Sequence, residues 1–343
     1  MTAKSEDEII SKSTKKSVSI YISIPFCPSR CSYCSFVSHS IERAAELIPV
    51  YFDLLIKEMK RVAQSVKNLN LSVMTVYVGG GTPTTLNAEQ LAILLNEIHK
   101  AFGNEFCELT VEAGRPDTIT YDKLAAIKNG GADRISINPQ TMNDEVLKAI
   151  GRRHTAKQMT DAFELARKIG FENINTDLIA GLPSDTFESF QDTLEKVINL
   201  NPDSVTVHSL SLKRSSKIIK AGDTFSFEDG ILAQKSVDFA KRKLIDAKII
   251  PYYMYRQSKT VGNLENVGYA KLGKEGLYNV YIMDETHTIL ACGASAVTKL
   301  KAFDDGKIER IFNYKYPYEY ISKFDEIMRR KDKIEEFYNE HSF

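Results

Sequence analysis

Three of the chain's five cysteines, Cys27, Cys31 and Cys34, fall within "CPSRCSYC", and no fourth follows until Cys107. Thiolates hold zinc or iron–sulfur clusters. A closed structural zinc site takes four ligands, commonly as two pairs. A cubane cluster has four irons and usually four cysteines, so three cysteines leave one iron open to an outside ligand. A three-ligand zinc site and a chance grouping of small buried thiols are the competing readings.

Other residues carry chemistry in places where a core would not ordinarily hold them. Glu112 lies inside the apolar "LTVEAG" and Asp177 inside "INTDLIAGLP". A buried carboxylate without a partner costs on the order of several kcal/mol. An ion pair of Glu112 with Arg134 or Arg152 is the purely structural explanation, and a pair of Arg152 with Asp177 would do the same for the second acid. Neither pair accounts for Gln140, and Arg152 in "GRRH" also suits a helix end. His208 sits in a strand-like run, where a lone histidine is commonly a satisfied core residue. "GGGTP" (79–83) lets backbone approach a ligand closely and aims loop N–H groups at a charged one, though a glycine triplet alone is only a turn.

These residues need elements to position them. Runs rich in Val, Ile, Tyr and Thr recur at 18–24, 72–78, 108–113, 134–138, 173–179 and 204–210, with the near-continuous apolar character of strands buried on both faces. Segments with apolar residues at helical spacing lie between them. Asn87, Asn143 and Thr186 are placed to cap helix starts, and Gly130 and Gly170 to end helices. A strand–helix unit repeated six times predicts an α/β fold, a parallel sheet curled into a full or partial barrel. The cysteine loop follows the first strand, at the strand ends where barrel active sites lie. From about residue 250 the rhythm changes. "LYNVYIMDE" reads as a strand, "TILACGASAVTKL" as an apolar run, and a charged helix closes the chain. The expected division is a flexible polar segment (1–16), a barrel (17–249) and a smaller α+β module (250–343) covering the active site.

Lys+Arg and Asp+Glu are each 45, and that balance argues against a nucleic-acid partner. No apolar stretch is long enough to span a membrane, and the opening residues do not resemble a signal peptide. An odd number of cysteines without a secretion signal points to the cytoplasm.

The same segments resemble the radical S-adenosylmethionine (SAM) enzymes and, within them, the oxygen-independent coproporphyrinogen III oxidase family (HemN/HemZ-type). The likeness runs through "YISIPFCPSRCSYCSF", "GGGTPT", "VEAGRPDTIT", "ISINPQTMNDEVLKAIGRRHT", "NTDLIAGLPSDT" and "GASAV", with "VEAGRPDTIT" and "VGNLENVGYA" nearest the HemZ-type branch. It implies a partial (β/α)6 TIM-like barrel. It also implies one [4Fe–4S] cluster on Cys27, Cys31 and Cys34, with SAM on the open iron. Tyr21, Tyr33, Gly80, Gly81, Thr82, Glu112 and Val297 match SAM-contact positions, and Gln140, Arg152 and Asp177 match positions that touch a second SAM. The implied reaction is oxidative decarboxylation of coproporphyrinogen III to protoporphyrinogen IX through a 5′-deoxyadenosyl radical. The implied protein is a monomer fed by a flavodoxin- or ferredoxin-type electron donor. A tetra-anionic tetrapyrrole substrate calls for cations at the mouth; Arg30, Arg153, Lys213, Arg214 and Arg256 are the candidates. "YYMY" (252–255) would cover the macrocycle or pack the small module.

Two departures keep other readings open. Ser23 replaces the family's His before "IPFC". The "HNxxYW" motif of heme-chaperone relatives corresponds here to "ENVGYA" (265–270), and the chain has no tryptophan. A radical SAM methyltransferase or ring-opening enzyme on heme or another tetrapyrrole, and a non-catalytic heme-binding chaperone, are the alternatives. HemZ-type relatives also tend to carry an additional N-terminal domain, so a short form or a truncation is expected from the 26 residues before Cys27.

Overall fold

Every one of the six strand-like runs becomes a strand. The computed structural model describes residues 7–34, 39–40, 44–212, 216, 226–303 and 306–341. β1 (Ser17–Ile24) leads into a two-residue strand, β2 (Phe26–Cys27), which pairs in parallel with β3 (His39–Ser40). There follow α1 (Ile48–Asn68), β4 (Ser72–Gly80), α2 (Ala88–Phe102), β5 (Glu108–Glu112), α3 (Tyr121–Asn129) and β6 (Arg134–Ser136). Two helices, α4 (Asp144–Ala149) and α5 (Ala156–Ile169), precede β7 (Ile174–Ala180), and α6 (Phe187–Asn199) precedes β8 (Ser204–Ser209). The next helix is α7 (Phe227–Asp246).

The anticipated caps form for a simple reason: short polar side chains satisfy N–H groups that a helix start leaves open. Asn87 accepts from the Gln90 N–H in a reciprocal capping box, Asn143 from Glu145 and Val146, and Thr186 from Ser189. Gly130 and Gly170 follow the ends of α3 and α5.

After residue 249 the pairing turns antiparallel on one side. β9 (Ile250–Arg256) and β10 (Glu265–Ala270) form a hairpin whose second strand pairs antiparallel with β8. α8 (Leu277–Met283) leads to β11 (Thr288–Cys292), which lies parallel to β1 on the opposite side, followed by β12 (Val297–Lys301) and β13 (Ile308–Phe312). The helices α9 (Pro317–Ser322), α10 (Phe324–Arg330) and α11 (Asp332–Glu340) close the described chain. The strand order β13-β12-β11-β1-β4-β5-β6-β7-β8-β10-β9 is one eleven-stranded sheet. Its two ends do not meet, so the α/β barrel is partial, as the sequence implied. No helix among the described residues is long and apolar enough to cross a membrane.

"LYNVYIMDE" corrects the sequence reading: it holds helix α8, not a strand. Its Tyr and Val residues suit a strand, but helical spacing puts Tyr278 and Tyr281 on one buried side, where Tyr281 stacks on His287 and Tyr278 on Tyr77. Of the polar opening, Ile9 is buried in an aromatic cluster with Tyr252, Tyr253 and Tyr281, and its carbonyl accepts from the Tyr281 hydroxyl.

Candidate functional site

The cysteine loop is held from three sides. Cys27 ends β2, and its sulfur accepts from Thr82 Oγ1 at 3.4 Å. The Gly81 N–H donates to the Ile24 carbonyl at 2.8 Å, and a Cβ on Gly81 would stand 2.6 Å from the Phe26 carbonyl oxygen and 3.0 Å from the Cys27 sulfur. Any side chain there would push the loop away, which is the physical reason for glycine. Ser32 N–H donates to the Ile150 carbonyl, fastening the loop to the end of α4. Arg115, buried after β5, brings Nη1 to 3.8 Å from the Cys31 sulfur. The five cysteines form no disulfide with one another; Cys27 and Cys31 are buried, Cys34 half-buried, Cys107 exposed and Cys292 buried in β11. Among the described residues no three His, Cys, Asp or Glu side chains surround a single ion position. A cubane asks for something different, because each of its thiolates meets a different iron. N–H and O–H donors aimed at sulfur, and a glycine cradle beside it, suit thiolates holding such a cluster.

Beside the loop lies a cavity of about 580 Å³, within the usual size of a small-molecule site. Tyr21, Tyr33, Cys34, Glu112, Gln140, Asp177 and Val297 all line it, drawn from β1, the cysteine loop, β5, the segment after β6, β7 and β12. Its wall also carries Tyr77, Tyr253, Tyr255, Tyr278 and His208. Tyr77 and Tyr278 stack at 4.6 Å between ring centroids, with Tyr21 about as parallel to both at 6.2 and 6.3 Å. The lining includes two carboxylates and, among the described residues, neither Lys nor Arg.

The two acids differ in their surroundings. Glu112 accepts from Tyr77 Oη at 2.6 Å and, among the described residues, from no arginine. Burial pushes its carboxyl up to about 7; the bonds from Tyr77 and the Gly80 N–H oppose this, and nearby Asp177 reinforces it. Asp177 accepts from Asn175 Nδ2 at 2.8 Å and faces His208 Nε2 at 3.8 Å. Burial would raise its carboxyl, but His208, Asn175 and Thr206 outweigh it and hold it below the ordinary value. His208 in turn meets Tyr255 Oη at 3.1 Å.

Gln140 is held in the left-handed region (φ 70°) by backbone bonds to β7, and its buried Oε1 has no hydrogen-bond partner among the described residues. An unanswered buried acceptor beside a cavity is what a ligand donor would complete.

Arg152 stands apart from the cavity lining. It donates to the carbonyls of Gly114 and Asn138 and lies against Tyr33 and Cys31. None of the three structural ion pairs weighed for the acids forms. Arg134 instead bonds Ser204, Asn173 and the Lys274 carbonyl. Of the mouth cations, Arg30, Arg153 and Arg256 do not line the cavity, and Arg256 pairs with Glu265 at 3.0 Å. Lys213 and Arg214 lie outside the described residues. Ser23 is buried and donates to the Ala294 carbonyl at 2.8 Å, tying β1 to the "GASAV" turn. In "YYMY" strand alternation decides: Tyr253 and Tyr255 face the cavity, Tyr252 packs inside, and Met254 is exposed.

Sequence reading missed Tyr77, Tyr278 and Arg115. Strand alternation from Val76 and Val78 could have placed Tyr77 on the inner face; Tyr278 was hidden by the strand reading of α8, and Arg115 by its place in a loop.

Residues 21–197 match the Radical SAM superfamily. The oxygen-independent coproporphyrinogen-III oxidase-like protein HemZ of Bacillus subtilis (strain 168) is 40% identical over 321 residues, 93% of this chain and 64% of that protein. The heme chaperone HemW of the same organism is 37% identical over 194 residues, 56% of this chain and 50% of its own length. The chain thus spans between half and two thirds of the length of these curated relatives. Among solved structures, coproporphyrinogen III oxidase (HemN) from Escherichia coli, described as a radical SAM enzyme, superposes with a TM-score of 0.70 at 23% identity, over 94% of this chain and 72% of that one. At that identity the likeness is one of fold.

Proposed function

Since the chain belongs to the radical SAM superfamily, we propose that it is an oxidoreductase of tetrapyrrole chemistry in which Cys27, Cys31 and Cys34 hold one [4Fe–4S] cluster beside a SAM site. When bound there, cluster and SAM would supply radical chemistry of the hydrogen-abstracting kind. The observation that carries this reading is the convergence of Tyr21, Tyr33, Glu112, Gln140, Asp177 and Val297 on one cavity that Cys34 also lines.

The roles of the chain's own residues follow from their surroundings. Glu112, enclosed and held by Tyr77 Oη, offers a carboxylate to the ammonium group of SAM. Gln140 Oε1 offers an acceptor, and Asp177 a second negative charge. A lining with two carboxylates, one histidine and no described Lys or Arg suits a positively charged cofactor, and a second SAM against Gln140 and Asp177 is compatible with it. The tyrosine rings offer an apolar, planar wall that keeps water from the reacting carbon. The finer reading is oxidative decarboxylation of two propionates of coproporphyrinogen III to vinyl groups, in a cytoplasmic monomer supplied by a low-potential electron donor. The division at residue 250 belongs to the same proposal, with the segment after it closing the cavity.

The test is anaerobic incubation of the reconstituted chain with SAM, reductant and coproporphyrinogen III, followed by mass measurement. Loss of two carboxyl groups with SAM consumption is expected from the parent chain and from Cys107→Ala, and no SAM cleavage from Cys31→Ala. Full iron content and turnover in Cys31→Ala would refute the ligand assignment. Gain of a methyl group would move the chain to methyl transfer. Stoichiometric heme retention without SAM cleavage would make it a heme carrier, although Glu265 stands where those relatives have histidine and is engaged by Arg256.

A further inference from the structure

Arg115, within "VEAGRPDTIT", reaches the cysteine loop with its side chain, and the sequence reading gave it no role. Its guanidinium is buried, 3% exposed. Nε and Nη2 donate to the two carboxylate oxygens of Asp117, each at 3.1 Å, which locks the fork in one plane. Nη2 also donates to Ser29 Oγ at 3.1 Å and Nη1 to the Ser29 carbonyl at 3.3 Å. Nη1 then points at the Cys31 sulfur at 3.8 Å. Ser29 Oγ in turn donates to the Gly151 carbonyl at 2.9 Å. One side chain therefore joins the end of β5, the cysteine loop and the turn after α4.

Hydrogen bonds and positive charge at a ligating sulfur favour the reduced, more negative cluster, so they raise its reduction potential. In Arg115 the N–H end faces the sulfur, and the compensating carboxylate is bound to the far edge of the fork. We propose that Arg115 is a positioning residue that fixes the Cys31 sulfur and raises the potential of the cluster, while Asp117 orients it and opposes its charge. The inference rests on the reading of Cys27, Cys31 and Cys34 as cluster ligands.

The opposed charges allow a test that a merely structural role would not pass. The reduction potential of the reconstituted chain is measured without SAM by redox titration followed by electron paramagnetic resonance, alongside iron content. Arg115→Gln is expected to shift the potential downward and Asp117→Asn to shift it upward. Arg115→Lys keeps the charge and loses the fork, so its potential stays near that of the parent while it surrenders iron faster to a chelator. If Arg115→Gln does not assemble a cluster, the direction in Asp117→Asn decides. Shifts of the same sign, or no shift in either variant at full iron content, would overturn the proposal. A parent chain that takes up no iron would instead overturn the cluster reading beneath it.

Discussion

At the scale of single residues, Glu112 is the most telling, because its surroundings oppose the charge that its proposed role needs. In the unliganded chain burial pushes its carboxyl from 4.5 up to about 7. The folded chain thus keeps a proton that the unfolded chain has lost across that window. Its contribution to stability is present in full below pH about 4.5 and is lost as pH rises toward 7. Glu112→Gln cannot titrate. Urea denaturation across pH 4 to 8 (~0.5-unit steps) should show the variant gaining on the parent through this window and holding a constant lead above it. Parallel profiles would show that Glu112 does not titrate there. A cationic ligand reverses the preference by stabilising the carboxylate. The same variant should bind SAM more weakly by about 1.5–3 kcal/mol, the usual worth of a charged hydrogen bond, as read by equilibrium binding to the reconstituted chain.

At the scale of elements, the β9–β10 hairpin forms one side of the cavity, and its geometry hangs on one residue. Tyr253 opposes Gly268 across the pair, and its ring lies over the glycine: a Cβ on Gly268 would fall 1.8 Å from the ring. The ring lines the cavity beside Tyr255, parallel to it with centroids 6.3 Å apart. Gly268→Ala must therefore move the ring or part the strands. The expected cost is about 1–3 kcal/mol in urea denaturation, as for other overpacked sites, together with a changed near-ultraviolet tyrosine signal. Unchanged stability with an unchanged spectrum would mean that the ring has room to spare.

At the scale of the whole molecule, the C-terminal helices are tied to the site through a buried ion pair. Glu58 lies on the apolar side of α1 and Lys331 between α10 and α11, both fully buried and 2.8 Å apart. Glu58 also accepts from Tyr320 Oη, Asn313 Nδ2 and the Gly293 N–H. Tyr51 bridges the next link, donating to the Ser23 carbonyl and accepting from Ala294 N–H. The C-terminal helices thereby hold the 293–297 turn, and with it Ser295 and Val297 on the cavity wall. Lys331→Met leaves Glu58 buried without its counter-ion and should cost about 3–5 kcal/mol. Adding Glu58→Gln should recover much of that, because it removes the stranded charge. Additive losses in the double variant would show that the two groups do not act as a pair.

Local features whose causes lie within a few residues were legible in the chain. The strand runs, the caps at Asn87, Asn143 and Thr186, and the three-cysteine spacing follow from periodicity, side-chain chemistry and ligand count. The sequence also marked Glu112 and Asp177 as out of place in a core. Tertiary structure alone decided which groups meet. That Glu112 takes Tyr77 rather than an arginine, that Arg152 turns toward Cys31 and Tyr33 while Gln140 faces the cavity, and that Arg115 reaches the cysteine loop are all contacts across strands distant in the chain. The same holds for α8, whose β-forming residues are helical because Tyr278 and Tyr281 gain buried ring partners on one side. Such partners are set by register and sheet order, which no local pattern encodes.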